Sequence, residues 1–73
     1  MNIKEKFGEK VKAMREQKSI SIEHLANISN VDRNYISDIE KGKRNISIDI
    51  IEKIVTALDT DLGTFFNDKS FKR

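Results

Sequence analysis

Five polar residues near the middle of the chain are spaced so that they would share one face of a helix: Arg33, Asn34, Ser37, Asp38 and Lys41. Side chains of these types match the edges of bases. Arginine pairs with guanine through two hydrogen bonds, asparagine pairs with adenine, and a carboxylate accepts a hydrogen bond from the cytosine amino group. The spacing is equally typical of an ordinary solvated helix, so by itself it leaves both interpretations open.

Two residues of this predicted helix have a second interpretation. Asp38 either accepts a hydrogen bond from a base or orients Arg33. The two residues are five positions apart, a separation that the long arginine side chain can span. Tyr35 either packs under the preceding helix or at a dimer surface, which we favour, or hydrogen-bonds a phosphate.

The charge around these residues changes sign along the chain. Residues 33–45 contain four basic and two acidic residues, whereas residues 46–68 contain five acidic residues against Lys53 alone. The net charge of the whole chain, +2, is too small to indicate a nucleic-acid partner. The distribution favours one face toward phosphates and another away from them, with ordinary surface charge as the alternative.

Apolar residues at helical spacing predict five helices that would position these side chains. The first covers about residues 3–17, and the next four begin after the caps Ser21, Asp32, Ser47 and either Thr60 or Asp61. Gly42 is placed to end the third helix in the left-handed conformation. The apolar stripes of these helices contain Phe7, Val11 and Met14; Ile22, Leu25 and Ile28; Tyr35 or Ile36, then Ile39, as the inward side of the third helix; Ile48, Ile51, Ile54, Val55 and Leu58; and Leu62, Phe65 and Phe66.

These elements predict an all-α fold, a compact five-helix bundle over residues 1–68, followed by a short basic tail, residues 69–73, that frays. No segment alternates as a strand would. We also expect a cytoplasmic protein, because we find no signal peptide and no run of membrane-spanning length.

Catalytic and metal sites are not expected. The chain has no cysteine and one histidine, His24, which we predict to lie on a helix surface. Ser37 has no histidine to activate it, and the carboxylates form no pair in an apolar pocket. The sequence therefore predicts neither an enzyme nor a cofactor.

Residues 21–41 have the arrangement of a helix-turn-helix, in the run SIEHLANISNVDRNYISDIEK. Two helices of about eight and ten residues would be joined by a turn of about three, with small Ala26 where they cross. The second helix of such a unit lies in the major groove of DNA.

The longer segment LANISNVDRNYISDIEKGKRNISIDIIEKIVTAL resembles the Cro and phage-repressor (XRE-type) helix-turn-helix family. Within it, VDRNYISDIEKGKRNIS is most similar to the controller proteins of restriction–modification systems. The chain departs from the family pattern at Ile22, where many members have a glutamine that reaches a phosphate, and at Ile46, where many have proline.

The resemblance implies a lambda-repressor-like DNA-binding domain that acts as a symmetric dimer. It implies that base edges are read by Arg33, Asn34, Ser37 and Asp38, and that phosphates are contacted by Lys41, Lys43, Arg44 and Asn45. It also pairs Arg15 with Glu40 across the core.

A dimer is expected on physical grounds as well, because a 73-residue bundle without disulfide or metal is marginally stable as a monomer. Adjacent residues on a helix cannot face the same way, so we expect Phe65 or Phe66 to be exposed. The predicted interface consists of Ile50, Leu62, Phe65 and Phe66.

The expected function is a homodimeric regulator that binds double-stranded operator DNA and occludes or recruits RNA polymerase, with no membrane partner. A controller protein is favoured. The alternatives are a phage or plasmid repressor of the same fold and, in another class, an antitoxin-type protein-interaction module.

Overall fold

A computed structural model describes residues 2–72, so Met1 and Arg73, at the ends of the expected domain and tail, lie outside the described residues. Within that range the chain forms α1 (Ile3–Gln17), α2 (Ile22–Ser29), α3 (Arg33–Glu40), α4 (Ile48–Ala57) and α5 (Leu62–Phe66), followed by a 3₁₀ turn, Lys69–Phe71. No strand occurs among these residues, and the prediction of an all-α five-helix fold is confirmed. No helix of residues 2–72 has the length and apolarity needed to cross a membrane.

Side-chain caps set where the helices begin. Ser21, Asp32 and Ser47 accept hydrogen bonds from backbone N–H groups of the first turns of α2, α3 and α4, as predicted. Asp61, rather than Thr60, caps α5. These caps satisfy N–H groups that have no partner within the helix.

Each of the first four helices ends in the same way, at a residue with positive φ: Ser19 (56°), Asn30 (59°), Gly42 (74°) and Asp59 (67°). The N–H of the following residue then donates to the carbonyl five positions back, at 3.0 to 3.4 Å. This is the Schellman arrangement, which the sequence predicted only at the glycine. The sharp endings allow short helices to turn back on one core.

The core contains the buried residues Phe7, Val11, Leu25, Val31, Ile36, Ile39, Ile54, Val55, Leu58 and Phe65. Of the two candidates Tyr35 and Ile36, Ile36 is fully buried, as is Ile39 one turn later. Three residues of the predicted apolar stripes are exposed: Ile28 (51%), Ile48 (76%) and Leu62 (38%). The buried line of α2 runs from Leu25 to Ser29 and leaves Ile28 beside it, and Ile48 is the first residue of α4.

Gly8 allows α1 and α3 to cross in close contact. A Cβ atom at this position would overlap the carbonyl oxygen of Ile39. The sequence alone gives no reason for a glycine here, because the requirement arises only where the two helices cross.

The same crossing contains a buried ion pair. Arg15 donates to Glu40 through Nε at 2.8 Å and through Nη2 at 3.1 Å, and its Nη1 donates to the carbonyl of Ile20 at 2.9 Å. The side chains are 11% and 5% exposed. The hydrogen bonds to Glu40 raise the pKa of Arg15 above its ordinary value. The guanidinium therefore stays charged over the whole practical pH range.

The expectation that the chain frays from Lys69 is wrong for Lys69–Phe71. The Phe71 ring packs against that of Phe66, with centroids 4.9 Å apart. Lys10 Nζ donates to the carbonyl of Phe65 at 2.6 Å and to Asp68 at 2.9 Å. The two hydrogen bonds of Lys10 link residues 55 and 58 positions apart, and together with the ring contact they attach the turn to α1 and α5.

We predict that Arg15→Ala and Glu40→Ala each destabilise the fold by about 3–5 kcal/mol, because each leaves a buried charge without its partner. The double variant should lose less than the sum of the two, since it leaves no orphan charge. Thermal melts give all three values, and Arg44→Ala, which removes an exposed charge, is the control. Single variants that melt like the wild type would contradict the prediction.

The C-terminal turn should respond to acid. The hydrogen bonds that Asp68 accepts from Ser70 and from Lys10 lower its pKa to about 2. Because that is below the unfolded value of about 4, the carboxylate stabilises the fold above pH 4, and this contribution disappears as the pH falls toward 2. Asp68→Asn should therefore lower Tm at pH 7, with a deficit that shrinks below about pH 4. A deficit that is independent of pH, or none at pH 7, would rule out this role for Asp68.

Candidate nucleic-acid interface

The turn between α2 and α3 fixes the direction of α3. Val31 is buried and its N–H donates to the carbonyl of Ala26 at 3.2 Å. Asp32 then accepts from the backbone N–H groups of Asn34 (2.9 Å) and Tyr35 (3.2 Å). The first turn of α3 is thus held through its backbone N–H groups by the carboxylate of Asp32, which leaves the side chains of Arg33 and Asn34 free to point outward.

The outer face of α3 contains the proposed base readers. Arg33 and Asn34 are exposed in its first turn, and Ser37 and Asp38 follow, half-buried, one turn later. The opposite face is anchored in the core by Ile36 and Ile39, which are both 0% exposed. A helix held from beneath and polar on its outer side is suited to entering the major groove.

The proposed phosphate-binding residues continue this surface. Lys41, Lys43, Arg44 and Asn45 are all exposed and follow α3 directly. Gly42 turns the chain, and the N–H of Lys43 returns to the carbonyl of Asp38 at 3.0 Å. The cationic segment therefore lies against the end of α3.

Asp38 is paired with Arg44 and not with Arg33, the partner that the sequence suggested. Its Oδ2 accepts from Arg44 Nε and lies 3.2 Å from Arg44 Nη2, so its ion partner in the structure is Arg44 rather than Arg33. The guanidinium also stacks on the ring of Tyr35, 4.8 Å from its centroid. Tyr35 is half-buried and packs against the core, in accord with the favoured packing interpretation.

The cluster of Asp38, Arg44 and Tyr35 was not predicted from the sequence, because the chain reverses between Asp38 and Arg44. Asp38 and Arg44 are six positions apart, a separation that does not bring side chains together on a continuous helix. The available signal was Gly42, since a left-handed helix ending folds the following residues back over the last turn.

The residues predicted for the dimer interface differ in how far they are exposed. Leu62 is exposed (38%), whereas Ile50 and Phe66 are half-buried. Phe65 is 1% exposed, so placing it at a surface is wrong: its ring packs against those of Phe7, Phe66 and Phe71 inside the monomer.

An apolar groove that no sequence pattern indicated adjoins this region. Its volume is about 200 Å³, and Phe66 forms one of its walls. The other lining residues are Ile3, Lys4, Phe7, Asn45, Ile46 and Ile51.

Two further positions singled out in the sequence are Ile22 and His24. Ile22, which replaces the glutamine typical of the family, is half-buried and lines a depression with Ser37 and Glu40. His24 is exposed. Within residues 2–72, no three His, Cys, Asp or Glu side chains lie close enough to hold a metal ion together.

Comparison with known proteins identifies the family to which this arrangement belongs. Residues 11–65 match the helix-turn-helix family. The chain is 43% identical over 68 residues to the control protein C.MunI of a Mycoplasma species, which covers 92% of each chain. The crystal structure of the restriction–modification controller protein C.AhdI from Aeromonas hydrophila has a TM-score of 0.82 and 40% identity, covering 86% of this chain and 96% of that one.

A second solved structure is that of the controller protein C.Esp1396I, as a tetramer in complex with its natural 35-base-pair operator. It has a TM-score of 0.85 and 36% identity, covering 90% of this chain and 87% of that one. With a family match over three quarters of its length and relatives of this similarity, the chain belongs to the XRE-type helix-turn-helix family of the restriction–modification controller proteins.

Proposed function

We propose that the protein is a restriction–modification controller that binds double-stranded operator DNA as a homodimer and regulates transcription from promoters overlapping that site. The observation that carries the proposal is the single surface formed by the exposed first turn of α3 and the cationic loop after it. The first supplies donors and acceptors for base edges, and the second supplies charge for phosphates.

The roles of individual residues follow from their position on that surface. Arg33, Asn34, Ser37 and Asp38 read bases, and Lys41, Lys43, Arg44 and Asn45 contact phosphates. The DNA-binding domain spans residues 1–68, with the C-terminal turn packed against it. The protein acts in the cytoplasm without catalysis, and its location on the promoter excludes or recruits RNA polymerase.

The length of α3 accounts for the dimer. Its eight residues span about 12 Å, so one copy reads only a few base pairs. Two copies related by a twofold axis read a palindrome with half-sites about 34 Å apart. The relative C.Esp1396I, which binds its 35-base-pair operator as a tetramer, supports a mode in which several copies bind one operator.

Base reading and phosphate contact can be separated by substitution. Arg33→Ala or Asn34→Ala should cost about 1–3 kcal/mol on the operator and relax the preference at particular base pairs. Lys43→Ala should weaken binding to every sequence alike and reduce the slope of log K against log salt by about one. Titrations on operator and scrambled duplexes at several salt concentrations measure both effects. Equal losses on both duplexes for Arg33→Ala and Asn34→Ala would reduce these residues to nonspecific contacts.

We expect α4 and α5 to form the dimer interface, and two residues of α5 test this: Leu62, which is exposed, and Phe66, which is half-buried. Leu62→Lys or Phe66→Ala should shift the protein toward monomer in sedimentation equilibrium, with operator binding lost in parallel. Phe65→Ala is the control for core damage: it should lower Tm by removing a buried ring, about 3–5 kcal/mol. A wild type that stays monomeric at high micromolar concentration, or a dimer indifferent to Leu62→Lys and Phe66→Ala, would overturn this placement.

A further inference from the structure

An acidic residue lies within the surface that we propose for DNA. The side chains of Asp38 and Arg44, which form an ion pair there, are 34% and 48% exposed. So exposed a pair contributes little to folding. A carboxylate facing phosphates also opposes binding, and it cancels the charge of an arginine that would promote it. Neither stability nor general affinity for DNA explains the pair.

The geometry holds Arg44 in one place. Asp38 Oδ2 accepts a hydrogen bond from Nε of the guanidinium and lies close to Nη2, and the ring of Tyr35 stacks against the face of the guanidinium. The loop is fixed as well, because the N–H of Lys43 donates to the carbonyl of Asp38. In the free protein, Arg44 is therefore restrained against α3 instead of extending into solvent.

We propose that the Asp38 carboxylate releases Arg44 only when a base takes the place of Arg44 as its hydrogen-bond donor. Asp38 is then a specificity-determining residue of the proposed operator binding. On the operator, the amino group of a cytosine donates to the Asp38 carboxylate, and the freed guanidinium binds a phosphate. Where no such amino group is in reach, releasing Arg44 would leave the carboxylate unpaired beside the phosphates. The ion pair then persists, and the phosphate contact is not made. The exchange thus weakens binding to DNA other than the operator.

Asp38→Asn tests the exchange, and Glu9→Gln, which removes one negative charge from an exposed position of α1, is the matched control. The operator is the consensus that the wild type selects from random duplexes. Asp38→Asn should tighten binding to scrambled DNA about tenfold and steepen its salt slope by about one, the signature of one further phosphate contact. Affinity for the operator should stay the same or fall, so the ratio of the two affinities drops at least about tenfold. Glu9→Gln should change both affinities by the same small factor.

Removing Arg44 gives the complementary result. In the wild-type background, Arg44→Ala should weaken binding to the operator but leave binding to scrambled DNA almost unchanged. In the Asp38→Asn background it should weaken binding to both. If Asp38→Asn behaves like Glu9→Gln, or if Arg44→Ala reduces both affinities equally in the wild-type background, the exchange is overturned.

The restrained state is measurable without DNA. The Nε–H of Arg44 should give a slowly exchanging signal in ¹H–¹⁵N spectra of the wild type, and that signal should be lost in Asp38→Asn. A wild-type signal that exchanges as fast as that of Asp38→Asn would overturn the restraint. If the wild type selects no DNA sequence, the proposed function fails and the exchange fails with it. If it selects an operator and Asp38→Asn keeps the wild-type ratio, the exchange alone fails.

Discussion

The fold depends on the contact between α1 and α3, where the ion pair of Arg15 and Glu40 is enclosed. One guanidinium donates to the carboxylate on α3 and to the carbonyl of Ile20, in the loop that leads into α2. It therefore joins three segments that the chain separates. Gly8 makes the contact close, because any larger residue would push Ile39 away. Both helices of the helix-turn-helix are thus positioned relative to α1.

This constraint explains how eight residues of α3 hold a defined orientation. The helix is too short to be stable alone, so its geometry comes from its surroundings. Asp32 holds its start, Ile36 and Ile39 hold its inner face, and Glu40 holds its end. The outer face of α3 makes none of these anchoring contacts, and it is the face that contains the residues proposed to read bases. Anchoring α3 from three sides limits the conformational entropy lost on binding DNA.

What the sequence could predict depended on the range of the interactions. Ser21, Asp32 and Ser47 cap helices through contacts two or three residues away, so residue type and spacing sufficed. Ile48 was misplaced because periodicity identifies a stripe but not where along it the core ends. Phe71 packs on α5, a contact between separate elements that no helical pattern contains. The closeness required at Gly8 likewise follows from the crossing of two helices and not from either one alone.

The two arginine–carboxylate pairs of this protein have the same chemistry and opposite consequences, because burial differs. Arg15 and Glu40 have little contact with water, so separating them would leave a charge inside the core with nothing to solvate it. Arg44 and Asp38 are about half and one third exposed, so separating them leaves no charge inside the core, and both remain within reach of groups on the DNA. A buried pair is therefore suited to fixing the orientation of α3, and an exposed pair is suited to changing partners on its surface. Both pairs have one member on α3, so the helix that the buried pair fixes in place presents the exposed pair on its outer face.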